Sequence, residues 1–345
     1  MPIPRLTALA GAVPPHVLDQ EVVIERARWI FSGVADLTRL LPVFVNSGVK
    51  RRYSAVPPDW FDTPHGWAER NRRYSDAAVG LLETAAWRAL DQADLALDDI
   101  GAIVTVSTTG VATPSLDALM IERLRLPPGV KRLPIFGLGC VGGAIGLAHA
   151  ATLAAAMPNK AVLLLVVELC SLTFRSSDHG KSNIIGAALF GDGAAAALLR
   201  CGGKGPAVVA AGEHTWPHSL DIMGWQVMED GLKPVFSRDI PRLAADRLGE
   251  AAVDFLRQHG WALGDIDRFV CHPGGPKVID ACERAFGLPS GQLDDARGVL
   301  RDYGNMSAVS VLFVLSRMLD EEWQRALLTA LGPGFTAGFV VLEKP

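Results

Sequence analysis

Two stretches of sequence decide the fold: AAWRALDQADLALDDIGAIVTV (85–106) and AAVDFLRQHGWALGDIDRFVCH (251–272). They lie 166 residues apart and align without a gap at nine identical positions. Each copy has the pattern of an amphipathic helix, a short turn with an Asp-Ile step, and an apolar strand. Because one register covers the whole unit, we predict that the chain is a duplication of one α/β half.

The same offset extends beyond these stretches. It places Cys140 opposite Met306, beside Asn305, with each at a glycine-containing turn before an apolar helix. The segment VGGAIGLAHAATLAAAM (141–157) is apolar all round, which predicts a helix buried on every side. We therefore predict a five-layered α/β fold in which two sheets enclose buried helices. Residues 1–205 would form the N-terminal half and residues 206–345 the C-terminal half.

Composition excludes several classes of function. The chain has 345 residues, of which 49% are hydrophobic, and its formal net charge of −4 argues against a nucleic-acid partner. Prolines interrupt residues 1–18 where a signal peptide needs an apolar helix, and the uncharged run 161–167 is too short to span a bilayer. The five cysteines form no CxxC pair. We expect a cytoplasmic protein with free thiols, no membrane span and no bound metal.

Cys140 lies in PIFGLGCVGGAIG (134–146), where a strand-like run leads through two glycines into the buried helix. At a helix N-terminus the macrodipole favours a thiolate, and free backbone amides can bind an oxyanion. A cysteine can also be a small core residue. We assign that role to the other cysteines on sequence pattern alone, because they lack this context.

Two further segments carry polar side chains suited to catalysis. His272, in FVCHPGGPKVID (269–280), ends a strand before a glycine loop, and it could be a base for Cys140 or a hydrogen-bond donor to a carbonyl. A structural histidine is the alternative. Asn305, in DYGNMSAVSVLFVL (302–315), begins the second buried helix, where it could simply cap the helix. The duplication gives it weight, because it places Asn305 on the same pseudo-symmetric face as Cys140.

These motifs, taken in order, resemble the type III polyketide synthases, the chalcone-synthase-like branch of the thiolase superfamily. The resemblance covers nearly the whole chain. The motifs that carry it are STTGVATPSLD (107–117), GLGCVGGA (137–144), ELCSLTF (168–174), ALFGDGAAA (188–196), DIMGW (221–225), HPGGP (272–276), GNMSAVS (304–310) and GPGFTAG (332–338).

The resemblance implies the duplicated, five-layered thiolase fold and a homodimer. It places the catalytic set on Cys140, His272 and Asn305, and a gatekeeper aromatic on Phe190. Further substrate-binding candidates are Thr109, Thr113, Cys170, Thr173, Gly274, Gly275 and Ser307. For the phosphates of coenzyme A the candidates are Arg39 and Lys50. The resemblance implies no cofactor, because coenzyme A arrives with the acyl-CoA and malonyl-CoA substrates.

The implied reaction is decarboxylative condensation of an acyl-CoA starter with malonyl-CoA, followed by cyclisation. DIMGW and ELCSLTF look like the bacterial members, and residues 109–117 are similar to alkylpyrone and alkylresorcinol synthases, which accept long acyl starters. Pro234 stands where plant members carry a second phenylalanine, and Ala112, Thr113 and Cys170 would leave room for a chain. The alternatives are a ketoacyl synthase of fatty-acid initiation and a non-catalytic acyl-CoA-binding protein of the same fold.

Overall fold

The computed structural model describes residues 2–33 and 37–344. The strands in these ranges are β1 Pro4–Ala12, β2 His16–Asp19, β3 Arg51–Ser54, β4 Ile100–Val106, β5 Lys131–Ile135, β6 Ala161–Leu169, β7 Asp192–Cys201, β8 Ala207–Thr215, β9 Met223–Met228, β10 Gly231–Phe236, β11 Arg268–Cys271, β12 Arg325–Gly332 and β13 Thr336–Glu343. The α-helices are α1 Gln20–Ile30, α2 Leu37–Leu40, α3 Pro42–Val45, α4 Trp67–Ala93, α5 Leu116–Leu124, α6 Gly142–Ala156, α7 Lys181–Leu189, α8 Ile240–Gln258, α9 Pro276–Ala285, α10 Asp294–Tyr303 and α11 Ser310–Met318.

The sequence repeat corresponds to a structural repeat. The first copy forms the end of α4, a 3-10 turn and β4. The second copy forms the end of α8, a 3-10 turn and β11. In each turn an aspartate accepts the backbone N–H of the residue three positions earlier: Asp99 from Ala96 at 3.0 Å and Asp265 from Ala262 at 2.8 Å. The identical aspartates therefore close the same turn twice.

Strand pairing repeats as well. The sheet order within the described residues is β11-β12-β13-β8-β1-β7-β6-β4-β5. β4 is parallel to β6, and β7 is antiparallel to both β6 and β1; β11, β12, β13 and β8 follow the same scheme. The two half-sheets meet at one residue pair, Arg5 with Ala207. This near-separation fits the two sheets predicted from sequence.

The two faces of a central strand pack against different helices, and this packing defines the layers. In β6, Leu163 and Leu165 pack with the α4 side of the sheet, while Leu164 and Val166 pack with α6. Helix α6 contacts β4, β6 and β7 of the first half-sheet and β8, β12 and β13 of the second, whereas α8 and α9 pack together on the outer side. The order is helix, sheet, helix, sheet, helix, which confirms the predicted five layers.

The central helices α6 and α11 approach each other closely. Their contact brings together the turns that carry the predicted site residues Cys140 and Ser307. A Cβ at Gly143 would lie 2.1 Å from the carbonyl oxygen of Ala308, so only glycine allows this contact. Ala308 belongs to the 3-10 turn Ser307–Val309 that leads into α11. The stretch Gly139–Ala156 is long and apolar enough to cross a membrane, and 67% of it is buried inside the protein. Its burial is what the middle layer requires.

Candidate active site

Cys140 lies in a 3-10 turn, Gly139–Val141, directly before α6. Gly139 has a φ of +50°, and a Cβ there would lie 2.7 Å from Cδ of Pro333, so the turn requires glycine. Its backbone N–H donates to Oγ1 of Thr108 at 2.9 Å. These contacts fix the turn that presents Cys140 to a cavity, where part of the residue's surface stays open.

His272 directly follows β11 and extends its ladder, because its backbone N–H donates to the carbonyl of Thr329 at 3.0 Å. The side chain is 5% exposed, and neither ring nitrogen has a hydrogen-bond partner among the described residues. A buried polar group without a partner costs about 1–3 kcal/mol. Since the ring also lines the cavity that Cys140 lines, its free nitrogens mark a place where a ligand oxygen can bind.

Asn305 does cap a helical turn, as the simpler interpretation of the sequence held. Its Oδ1 accepts the backbone N–H of Ser307 at 2.8 Å, and Nδ2 donates to the carbonyl of Gly274 at 3.2 Å. An amide nitrogen carries two hydrogens, so one remains for a ligand. The cap thus orients the amide in the cavity wall, and the two roles are compatible.

Phe190 is held next to Asn305 by the backbone. The N–H of Asn305 donates to Leu189 at 2.8 Å, and its carbonyl accepts from Gly191 at 3.0 Å, which forms an isolated parallel bridge between Phe190 and Asn305. The Phe190 ring meets Phe236 edge-on, with centroids 5.7 Å apart. The predicted gatekeeper therefore has a position fixed relative to the predicted catalytic asparagine.

One cavity of about 540 Å³ collects these side chains. Its lining includes Cys140, Phe190, His272, Asn305 and the predicted Gly274–Gly275 loop. The volume lies in the range of about 300–1,000 Å³ found for small-molecule sites. Residues far apart in the chain thus face one space, which is the arrangement that two-substrate chemistry requires.

Burial controls the ionisation of the two titratable groups. It raises the pKa of Cys140 to about 12. The neighbouring Ser307 side chain lowers this pKa by a smaller amount, and the charge of Glu168 adds to the rise. Burial also lowers the pKa of His272 to about 3. For Cys140 without a partner, burial therefore opposes the thiolate that a helix N-terminus favours.

Glu168 is a functional candidate that the sequence analysis did not single out. Its Oε2 accepts from the backbone N–H of Thr108 at 3.0 Å and from the hydroxyl of Thr109 at 2.8 Å, and its Oε1 accepts from the hydroxyl of Ser307 at 3.2 Å. Burial raises its pKa to about 7. The signal was available, since Glu168 is the one carboxylate in the apolar strand AVLLLVVEL (161–169).

A second, smaller cavity of about 80 Å³ lies against Phe190 and Gly186, which line both spaces. Cys170, Thr173 and Pro234 line it, as do apolar side chains of α1 and the ring of Phe174. Of the predicted substrate-binding residues, Cys170 and Thr173 thus line the smaller cavity and Gly274 and Gly275 the larger one, with Phe190 at their boundary.

Several predicted residues lie elsewhere. Thr109 is buried, and Ser307 adopts a φ of +47°; both hydroxyls bind Glu168. Thr113 is exposed, and so are Arg39 and Lys50; the structure places none of these three against either cavity. Residues that sequence reasoning missed in the larger cavity are Arg238, Lys277 and Thr329.

The duplicated five-layered fold and a deep cavity holding a cysteine, a histidine and an asparagine define the class: an acyl-transferring, carbon–carbon-bond-forming enzyme. Residues 4–203 match the family model for the chalcone and stilbene synthases, N-terminal domain, and residues 207–344 match that for the C-terminal domain. The chain belongs to the chalcone and stilbene synthase family, and it is a type III polyketide synthase.

Comparisons with individual relatives support this family assignment. The chain is 38% identical to a 1,3,6,8-tetrahydroxynaphthalene synthase of Streptomyces peucetius subsp. caesius, over 98% of this chain and 92% of the relative. It is 28% identical to a phloroglucinol synthase of Pseudomonas fluorescens, over 96% of each chain. The crystal structure of the tetrahydroxynaphthalene synthase of Streptomyces coelicolor, a bacterial type III polyketide synthase, superposes with a TM-score of 0.94 at 30% identity and 99% coverage of both chains. The polyketide branch is thereby favoured over the ketoacyl synthase and non-catalytic alternatives.

Proposed function

We propose that Cys140, His272 and Asn305 carry out the condensation. The observation that carries this proposal is that all three line one cavity, in which His272 has two buried ring nitrogens without a partner among the described residues. A purely structural histidine would be expected to have its hydrogen bonds satisfied. The thiol, the imidazole and the free amide hydrogen supply a nucleophile, a base and two donors for an oxyanion.

In the loading step, His272 accepts the proton of Cys140. The thiolate attacks the carbonyl carbon of the starter, the bond from carbon to the coenzyme A sulfur breaks, and the departing thiolate takes the proton from the imidazolium. Burial disfavours either charge alone, but a thiolate and an imidazolium formed together leave no net charge in the cavity. The starter then remains as a thioester on Cys140.

In the extension step, malonyl-CoA loses carbon dioxide, and the electron pair of the broken carbon–carbon bond stays on the thioester as an enolate. The neutral His272 ring and Nδ2 of Asn305 donate hydrogen bonds to the enolate oxygen. The enolate carbon attacks the thioester on Cys140 and releases the sulfur, which leaves the lengthened chain on coenzyme A. Repetition and cyclisation give the product, and each step balances without a redox partner.

For the starter we propose a medium or long fatty acyl group, with an alkylpyrone or alkylresorcinol as product. The smaller cavity supports an apolar starter, because its wall is largely apolar and it adjoins the larger cavity at Gly186 and Phe190. At about 80 Å³ it takes only a few methylenes, so a longer chain would also occupy the larger cavity. Burial of chain there should contribute about 0.8 kcal/mol per methylene, close to fourfold in affinity per carbon. Thr113, which the sequence analysis expected to leave room for the chain, is exposed in the single chain and lines neither cavity. We therefore propose that Gly186 limits the chain length.

A second candidate follows from the relatives. The products in their names, 1,3,6,8-tetrahydroxynaphthalene and phloroglucinol, carry hydroxyl groups on the ring and no alkyl chain. An enzyme that makes such a product would use malonyl-CoA itself as the starter, rather than a fatty acyl-CoA.

A panel of acyl-CoA starters from acetyl to tetradecanoyl, with isotope-labelled malonyl-CoA and mass spectrometry of the products, separates the two candidates. The fatty-acyl proposal expects kcat/KM to rise with chain length and then stop abruptly when the cavity is full. A flat or falling profile, or full turnover with malonyl-CoA alone, rejects it in favour of the second candidate.

The protein is further proposed to act in the cytoplasm as a homodimer. β5 is an edge strand of the described sheet, and next to it Phe136 is 61% exposed. Val111, in the loop that carries Thr113, is also exposed. An unpaired edge beside exposed apolar side chains is a surface suited to a second copy of the chain. The homodimer implied by the resemblance would cover this surface.

A further inference from the structure

The substrates of this enzyme carry negative charge that the protein as a whole does not attract. Coenzyme A bears a diphosphate and a further phosphate on its ribose, and the chain has a formal net charge of −4. Binding therefore depends on local cations near the site. Arg39 and Lys50, to which the resemblance assigned this task, do not line the catalytic cavity.

Two other basic side chains do line it. Among the described residues of the cavity wall, the lysines and arginines are Arg238, in the loop after β10, and Lys277, in the first turn of α9. Both are exposed, whereas Cys140, His272 and Asn305 lie deeper, so the two cations mark the open end of the cavity. Pro42 and Asn46 line the same space and carry no charge.

Neighbouring carboxylates leave these two cations available. Neither side chain has an ion pair or a side-chain hydrogen bond within the described part of the chain. Asp239, next to Arg238, pairs with Arg242 at 3.4 Å, and Asp280, one turn beyond Lys277, pairs with Arg297 at 2.7 Å. Lys277 also lies at a helix N-terminus, where the backbone adds positive potential for an anion.

We propose that Arg238 and Lys277 bind the phosphate groups of the coenzyme A moiety and so hold the thioester end toward Cys140. The proposal rests on the use of coenzyme A thioesters by this cavity, and it concerns both substrates equally. Arginine offers a planar fork to a phosphate and lysine a point charge, so together they can hold a diphosphate from two sides.

Malonyl-CoA decarboxylation measures the contribution without any choice of starter. Each of Arg238→Ala and Lys277→Ala should raise KM for malonyl-CoA about three- to fivefold and the double variant about tenfold, as expected for partly exposed ion pairs. The increase should be absent with the malonyl thioester of N-acetylcysteamine, which lacks every phosphate. Added salt should raise KM for malonyl-CoA less in the double variant than in the wild type. Arg238→Lys and Lys277→Arg should restore most of the affinity.

Lys204→Ala, which removes an exposed charge from a loop away from the cavity, is the matched control. The proposal is overturned if KM for malonyl-CoA stays unchanged in the double variant, or if it rises equally for the phosphate-free thioester. It is also overturned if Arg39→Ala and Lys50→Ala produce the selective increase instead. Decarboxylation of the phosphate-free thioester reports the chemistry of His272 and Asn305 separately, so failure of the catalytic proposal would be recognised.

Discussion

At the scale of residues, the cavity disfavours isolated charge. Burial holds the pKa of Cys140 at about 12 and that of His272 at about 3, so neither group alone exchanges a proton with solvent near neutral pH. If the two side chains share one proton, its transfer from sulfur to nitrogen needs no net proton from solution. The balance between thiol and thiolate then does not depend on pH over the physiological range.

This sharing predicts how Cys140 reacts with iodoacetamide. The wild-type inactivation rate should be nearly flat from pH 6 to 9, because the reactive thiolate forms by internal transfer to His272. In His272→Ala the thiol must lose its proton to water, and its raised pKa should make the rate increase about tenfold per pH unit over this range. The same steep slope in the wild type would contradict the shared proton.

Asn305 allows a separation of loading from extension. Its amide is proposed to bind the enolate oxygen, which is absent from the loading step. Asn305→Ala should therefore acquire a starter on Cys140 at a rate within about threefold of the wild type, yet lose extension by about 10²–10³-fold, as for other oxyanion donors. Mass spectrometry of the enzyme and its products measures both.

The cap formed by Asn305 provides the control for that experiment. Asn305→Asp keeps the oxygen that accepts the Ser307 N–H and removes the amide donor. It should behave like the alanine variant in extension. Because it also loses the bond from Nδ2 to the Gly274 carbonyl, its melting temperature is compared with that of Asn305→Ala, which loses both bonds. If neither variant can be acylated, Asn305 serves only the structure of the turn.

At the scale of elements, α7 and its C-terminus separate the two cavities. Buried Arg52 donates to the carbonyls of Ala187 at 2.7 Å and of Phe190 at 2.9 Å. These bonds satisfy carbonyls that the helix end leaves free. A Cβ at Gly186 would lie 3.2 Å from Cδ2 of Phe190, so a larger side chain here would press against the ring that lines both cavities.

Gly186→Leu should therefore fill the space where the two cavities adjoin. We expect the preferred starter to shorten, with kcat/KM for long acyl-CoA falling about fourfold for each methylene that can no longer be buried. Turnover of acetyl-CoA should remain within a few-fold of the wild type. Gly80→Leu is the matched control, because this exposed helical glycine faces open space. An unchanged chain-length profile in Gly186→Leu would remove the smaller cavity from the site.

The elements also show where prediction from the sequence succeeds. The repeated helix–turn–strand unit could be recognised because both copies have the same hydrophobic periodicity and the same turn-closing aspartate, Asp99 in one and Asp265 in the other. Cys140, His272 and Asn305 each stand at the end of an element, where a motif marks the position. Glu168 was marked as the one carboxylate in an apolar strand, but its partners were not. Arg238 and Lys277 could not be assigned a role from the sequence, because what joins them to the site is packing between distant segments.

At the scale of the whole molecule, the edge strand β5 and exposed Phe136 bear on assembly. Phe136→Glu places a charge on the proposed contact and should shift the protein in sedimentation velocity from twice the chain mass of 36.8 kDa toward the monomer. Leu220→Glu changes a residue that is 83% exposed outside this surface and should leave the dimer intact. A monomeric wild type, or a dimer unaffected by Phe136→Glu, would contradict the proposed interface.

We propose that one cavity in this duplicated fold builds carbon–carbon bonds on an acyl group held by Cys140. The most direct test is peptide mass spectrometry of the enzyme after brief incubation with an acyl-CoA, followed by a chase with labelled malonyl-CoA. We predict one acyl adduct, on Cys140, which disappears during the chase as extended product and carbon dioxide form, and which is absent in Cys140→Ala. An adduct on Cys170 or Cys271, or labelled polyketide from the Cys140→Ala enzyme, would contradict it.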